Sequence, residues 1–145
     1  MKVFLDSNIF LYSFLNQDVA KKSTAAKIVA DAIRDRSGYI SLQVVKEFCN
    51  VMIKKSKKPV AEVSVATKIF EKLNLVKGSI DLVRRALEIK ERYQIQFYDS
   101  LLVAAAETAK CEKIYSEDLN DGQLYCGIKA VNPFKLAGAA GPAPR

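Results

Sequence analysis

Five carboxylates stand where a bland surface would not need them. Asp6 closes the short apolar run Val3-Phe4-Leu5, and Glu47 lies within an apolar-patterned segment that follows Tyr39-Ile40. Asp99 stands at the head of Ser100-Leu101-Leu102-Val103-Ala104-Ala105-Ala106, while Asp118 and Asp121 follow Lys113-Ile114-Tyr115. Each has an ordinary reading: Asp99 as a helix N-cap, Glu47 as a solvated helical charge, Asp118 and Asp121 as turn formers. Asp6 is the hardest to explain that way, because a carboxylate at the end of a buried strand must find donors or a cation. Gathered together, such groups would repel by about 4 kcal/mol per pair at ~4 Å and an effective dielectric of 20. Three or four in one place therefore call for protonation or a bound ion. An all-oxygen donor set suits a hard divalent cation, Mg²⁺ or Mn²⁺, that keeps several waters and can activate water against a phosphate.

The remaining composition narrows the chemistry by exclusion. The 145 residues contain no histidine, which removes Ser-His-Asp and Cys-His catalysis, histidine general bases and His/Cys zinc sites. Cys49, Cys111 and Cys126 are too far apart for a Cys-x-x-Cys motif, and Cys49 and Cys111 read as small buried hydrophobes. Lys and Arg number 23 against 16 Asp and Glu, a net charge of +7 that favours an anionic partner. Acids collected in one place on a basic chain fit a metal-dependent enzyme acting on a polyanion. No apolar run approaches ~18 residues and the N-terminal run breaks at Asp6, so a cytoplasmic chain with no membrane span is expected.

The elements that must position these acids alternate between short apolar runs and longer amphipathic segments. Strands are expected at Val3-Leu5, Tyr39-Ile40, Asn74-Val76, Lys113-Tyr115 and Ala130-Val131, and helices over 18–36, 42–54, 59–72 and 79–93, with a turn or short helix at 9–15. Gly38 is placed at the end of the first long helix and Ser41 at the N-cap of the next. The segment after Asp99 is apolar nearly all round and is expected to be the central buried helix. Strands alternating with helices imply parallel β-α units, with an all-helical fold as the alternative. In such sheets ligands bind beyond the carboxyl ends of the strands, where Asp6, Asp118 and Asp121 fall and where Glu47 and Asp99 can reach.

The ordered set Val3-Phe4-Leu5-Asp6-Ser7-Asn8, Glu47, Phe97-Tyr98-Asp99-Ser100-Leu101-Leu102-Val103-Ala104-Ala105 and Tyr115-Ser116-Glu117-Asp118-Leu119-Asn120-Asp121-Gly122 resembles the PIN-domain ribonucleases, most closely the VapC-type toxins. The resemblance runs from residue 1 to about 134. It implies an α/β fold, a three-layer α/β/α sandwich on a short, mostly parallel sheet, with Mg²⁺ or Mn²⁺ held by the acids. It also implies endonucleolytic cleavage of RNA and a cognate antitoxin. Carried over by motif, Asp6, Glu47 and Asp99 are the core acids. The fourth is Asp118 or Asp121, with Gly122 standing where the family often has an aromatic. Ser7, Asn8 and Ser116 match positions that orient acids or substrate. On this reading residues 1–135 form the nuclease domain and 136–145 a flexible Ala/Gly/Pro-rich tail.

Lys54-Lys55-Ser56-Lys57-Lys58, the densest positive cluster, reads either as an RNA-backbone contact or as a helix C-terminus stabilised by cations. Arg84-Arg85 reads as solvent face, and Tyr12, Phe14, Tyr93, Phe97 and Tyr98 as core. The apolar stretch 9–15 is a candidate homodimer or antitoxin surface. A housekeeping nuclease and a non-catalytic module of the same fold are the competing functions. A receiver-like domain is disfavoured by Ser41 following Tyr39-Ile40.

Overall fold

A computed structural model describes residues 1–135; the expected flexible tail, 136–145, lies outside the described residues. β1 (Val3–Leu5) leads into α1 (Ser7–Phe14) and α2 (Val19–Arg34), then β2 (Gly38–Ser41) into α3 (Leu42–Lys54) and α4 (Val60–Ala66). A 3₁₀ segment, Thr67–Lys72, connects to β3 (Asn74–Val76), α5 (Ile80–Tyr93) and α6 (Phe97–Thr108), and β4 (Lys113–Tyr115), β5 (Leu124–Tyr125) and β6 (Ile128–Val131) complete the chain. The six strands form one sheet in the order β3-β2-β1-β4-β6-β5. All pairings are parallel except β5 with β6.

That order positions the site. The chain steps from β1 to β2 to β3 in one direction, then returns past β1 to β4. Because these crossovers run in opposite directions along the sheet, the right-handed rule for parallel β-α-β units puts α1–α4 on one face and α5–α6 on the other. The reversal lies between β1 and β4, and in open parallel sheets ligands bind beyond the carboxyl ends of the strands at such a point. The core sits between sheet and helices: Phe4, Leu5, Ile114 and Ala130 on the strands meet Ile9, Phe10, Val44 and Phe48 from α1 and α3, and Leu102 to Ala106 from α6, all buried. The expectation of a central apolar helix after Asp99 is met by α6.

Four local differences from the sequence reading have physical causes. Gly38 does not end α2. It is the first residue of β2, and the reversal uses Arg36 in the left-handed region (φ 53°). A Cβ at Gly38 would come within 2.7 Å of Leu73 Cδ2 and 2.8 Å of Ala32 Cβ, so close helix–strand approach explains this glycine. The second strand-rich edge was underestimated, because β5 and β6 form a hairpin around Cys126-Gly127, both at positive φ, without the usual Asn-Gly signature. Arg85 keeps part of its side chain in solvent, as expected, but it also grips Glu107 with two hydrogen bonds of 2.8 and 3.0 Å and ties α5 to α6. Ile9 and Phe10 are fully enclosed by the core, which removes them from any docking face.

Gly38→Ala is expected to lose about 1–3 kcal/mol of stability through overpacking. Gly78→Ala, with open space around its new Cβ, should stay within about 0.5 kcal/mol of the parent. Urea titrations of the two variants check the contrast, and equal losses would contradict it.

Candidate active site

Asp6 follows β1 and caps α1, so strand end and helix start share one carboxylate. The parallel ladder extends one rung past the strands: Asp6 N donates to Tyr115 O at 3.1 Å, and Ser116 N to Val131 O at 3.0 Å. Asp6 is only 4% exposed and Ser116 is fully buried. Ser116 Oγ donates to Asp6 Oδ2 at 2.7 Å, and Ser7 N donates to Oδ1 at 2.7 Å. The same Ser116 hydroxyl accepts from Asp118 N at 3.1 Å. The loop after β4 is thereby tethered to the residue after β1. Ser116 fixes Asp6 directly, and Ser7 does so through its backbone.

Glu47 and Asp99 arrive from opposite faces of the sheet. Glu47 lies in the second turn of α3, which starts directly from β2. Asp99 occupies the third position of α6 and is not the N-cap: Gln96 caps the helix, its carbonyl accepting from Ser100 N at 2.9 Å. An acid in a first helical turn is favoured by the unpaired N–H groups there. The starts of α3 and α6 are joined by Gln43 Nε2, which donates to Tyr98 O at 3.1 Å. Glu47, Asp99 and Asp118 line one cleft of about 560 Å³, together with Gln94, Gln96 and Tyr98.

Electrostatics single these acids out. Burial and the charges of Asp118 and Glu47 push the Asp6 carboxyl up to about 6, although Ser116 and Ser7 pull it down. Glu47 is raised by burial, Asp118 and Asp99, with Ser7 and Gln43 acting the other way. Asp99 is raised by burial and Asp118, and Asp118 by burial and Glu117. Among the described residues, Asp31, Asp35, Glu62, Asp81, Glu88, Glu107 and Glu117 all form ion pairs with Lys or Arg, whereas none of these four does. The site is left negative, with no cationic side chain among the described residues beside its acids to offset them.

Asp121 lies apart from this set, with Oδ1 accepting from Asn132 N at 2.8 Å. Asn8 Oδ1 is buried without a hydrogen-bond partner in the first turn of α1. A group that the sequence reading missed braces the loop from outside: Glu117 accepts from Lys21 Nζ at 2.7 Å and from Tyr12 Oη at 2.9 Å. Alternation along the strand carried a signal for it, since Glu117 sits beside the buried Ser116 and must point elsewhere. The acids supply only oxygen donors, and their raised affinities for protons express a need for positive charge; this fits a hard divalent cation. Among the described residues no group of three acids or thiols is placed to hold an ion by itself.

A family model described as the PIN domain matches residues 3–120, and the chain belongs to that family. Its fold is similar to three solved structures. VapC20 of Mycobacterium tuberculosis, a toxin that cleaves the sarcin–ricin loop, aligns at 17% identity and TM-score 0.67, over 82% of this chain and 92% of that one. A toxin–antitoxin complex from Klebsiella pneumoniae aligns at 20% identity and TM-score 0.66, over 91% and 98%. VapBC2 of Rickettsia felis, bound to a DNA fragment from its promoter, aligns at 13% identity and TM-score 0.68, over 90% and 97%. No curated protein sequence matches the chain.

The Asp6 proton affinity has a thermodynamic consequence for the metal-free protein. The carboxyl titrates near 3.8 when unfolded and near 6 when folded, so the folded state holds the extra proton between those values. Its destabilising contribution is absent below about pH 3.8, grows as pH rises and is complete above about pH 6. In chelator, the stability of Asp6→Asn relative to the parent should therefore shift in the variant's favour by roughly 2–3 kcal/mol between pH 4 and pH 7. Urea unfolding at the two pH values measures it, and a pH-independent difference would refute the assignment.

Proposed function

We propose that this PIN-domain protein is a metal-dependent endoribonuclease and the toxin of a VapBC-type pair, held in check by an antitoxin protein. The observation that carries the reading is a set of acids without ion-pair partners among the described residues: Glu47, Asp99 and Asp118 line one cleft, and the nearly buried Asp6 feels the charges of Glu47 and Asp118. Similarity in fold to toxins and toxin–antitoxin complexes, one of them RNA-cleaving, supports the choice among PIN-domain activities.

In this reading Asp6, Asp99 and Asp118 hold Mg²⁺ or Mn²⁺, directly or through water. When bound, the ion supplies neutralisation of phosphate charge and activation of water. The residues of the chain do the rest. Ser116 keeps Asp6 and the Asp118 loop in register through the two hydrogen bonds of its hydroxyl. Glu47, open to the cleft and raised in pKa, accepts the proton of the attacking water. Water adds to phosphorus in line and the 3′-oxygen departs, leaving a 5′-phosphate and a 3′-hydroxyl. Asp121 serves the fold by holding Asn132 N.

Positive charge for the polyanion is available on the same helix as Glu47. Lys54 lies seven residues further along α3, two turns on and on the same face, about 10 Å away. Lys54, Lys55 and Lys57 are exposed, and only Lys58 pairs with an acid, Glu62 at 3.8 Å. No helix among the described residues is long and apolar enough to cross a membrane.

Incubation with a generic RNA should give cleavage that requires Mg²⁺ or Mn²⁺ and stops with chelator, with 5′-phosphate ends on the products. Asp6→Asn, Glu47→Gln, Asp99→Asn and Asp118→Asn should each lose at least about a hundredfold in kcat/KM, while Asp121→Asn keeps most activity. Full activity in Asp6→Asn or Asp99→Asn, or cyclic phosphate ends, would overturn the reading. Growth arrest on expression, relieved by Asp6→Ala or by a neighbouring antitoxin gene, separates a toxin from a housekeeping nuclease.

A further inference from the structure

Tyr98 is out of place for a core aromatic. The sequence reading counted it with the buried rings, yet it is 63% exposed. It precedes Asp99 directly and lines the same cleft as Glu47, Asp99 and Asp118. Its position is fixed from two sides: Gln43 Nε2 holds its carbonyl, and its ring stands edge-on to Phe97 with centroids 5.5 Å apart. A large ring held in water at the rim of an acidic cleft does nothing for the fold.

Its neighbours are uncharged amides. Gln96 caps α6 without using its side chain, which leaves that amide free for other partners. Gln94 sits in the left-handed region (φ 56°) at the end of α5, its Nε2 on Glu91 O at 2.7 Å and its side-chain oxygen without a hydrogen bond among the described residues. Phosphates need a counter-ion to approach carboxylates, but a nucleobase is neutral and offers a flat face with donors and acceptors at its edge. A ring flanked by amides matches that chemistry, and base–aromatic stacking needs an unpaired base. We propose that Tyr98 is the stacking platform for an unpaired RNA base beside the scissile phosphate, with Gln96 and Gln94 reading the base edge. The proposal rests on the nuclease reading and gives that site its first specificity-determining residue.

The test uses octaribonucleotides carrying one 2-aminopurine stepped along the strand, whose fluorescence falls on stacking. With the full chain as Asp6→Asn, in Mg²⁺, one position should be quenched. Adding Tyr98→Phe should preserve the quench, and adding Tyr98→Ala should abolish it and weaken binding about ten- to a hundredfold. In the otherwise unaltered protein, Tyr98→Ala should raise KM by a similar factor with kcat within threefold, and Tyr98→Phe should restore KM. Thermal unfolding should not change, because the ring is exposed. Retained quenching and KM in Tyr98→Ala would overturn the proposal. So would a Tyr98→Ala protein that loses only the binding of an antitoxin. A parent that cleaves no RNA would sink the nuclease reading instead, and the quenching result would still decide the stacking site.

Discussion

A nearly buried carboxylate with no cationic partner is the constraint around which this molecule is arranged. Asp6 cannot leave the core, because it joins β1, buried along its length, to the start of α1, where Ile9 and Phe10 are buried. It cannot be neutralised by a lysine or arginine, since none reaches it among the described residues. What remains is a hydroxyl, a backbone N–H and whatever positive charge enters from solvent. Ser116 and Ser7 provide the first two. The third, in the function proposed for this site, is a divalent cation.

The topology makes the other acids converge without any of them belonging to the same element. β1 and β4 are neighbours that lie 110 residues apart in the chain, and the hydrogen bond between Ser116 and Asp6 spans that separation. α3 and α6 begin on opposite faces of the sheet and meet at its carboxyl edge through Gln43 and the Tyr98 carbonyl. Several of the other acids are drawn off into ion pairs: Glu107 is held by Arg85, and Glu117 by Lys21 and Tyr12, whereas the acids of the cleft have no cationic side chain beside them among the described residues. A chain of net charge +7 can in this way present a basic exterior to a polyanion and an acidic interior to a cation.

How much of this could be read from residues alone follows the range of the interactions. Val3-Leu5, Asn74-Val76 and Lys113-Tyr115 were legible as strands because each is a short apolar run with polar residues at both ends. α2, α3 and α5 were legible from their spacing. Asp6 was legible because its neighbours are so apolar. Strand order led to the expectation that Asp6, Glu47, Asp99, Asp118 and Asp121 share one sheet edge; Glu47, Asp99 and Asp118 do line one cleft, Asp6 feels the charges of Glu47 and Asp118, and Asp121 is held instead by Asn132 N. What could not be read depends on distant contacts. Arg85 has the same local setting as Arg84, and only Glu107, 22 residues away, draws it inward. Tyr98 has the apolar neighbours of a core residue, and its exposure follows from where α6 begins. Gly38 was misassigned because its reason is the crowding of Leu73 and Ala32, not a turn.

The sheet is also notable for how little of it is open at its margins. β3 is three residues long and β5 only two, and Asn74 in β3 turns its side-chain amide back onto the carbonyls of Arg36 and Gly38. An incoming strand would find too few free N–H and C=O groups to pair with, so edge-to-edge stacking of copies gains almost nothing. Among the described residues, the surfaces left for association are then side chains on helices and loops, and such contacts are selective in a way that backbone pairing is not.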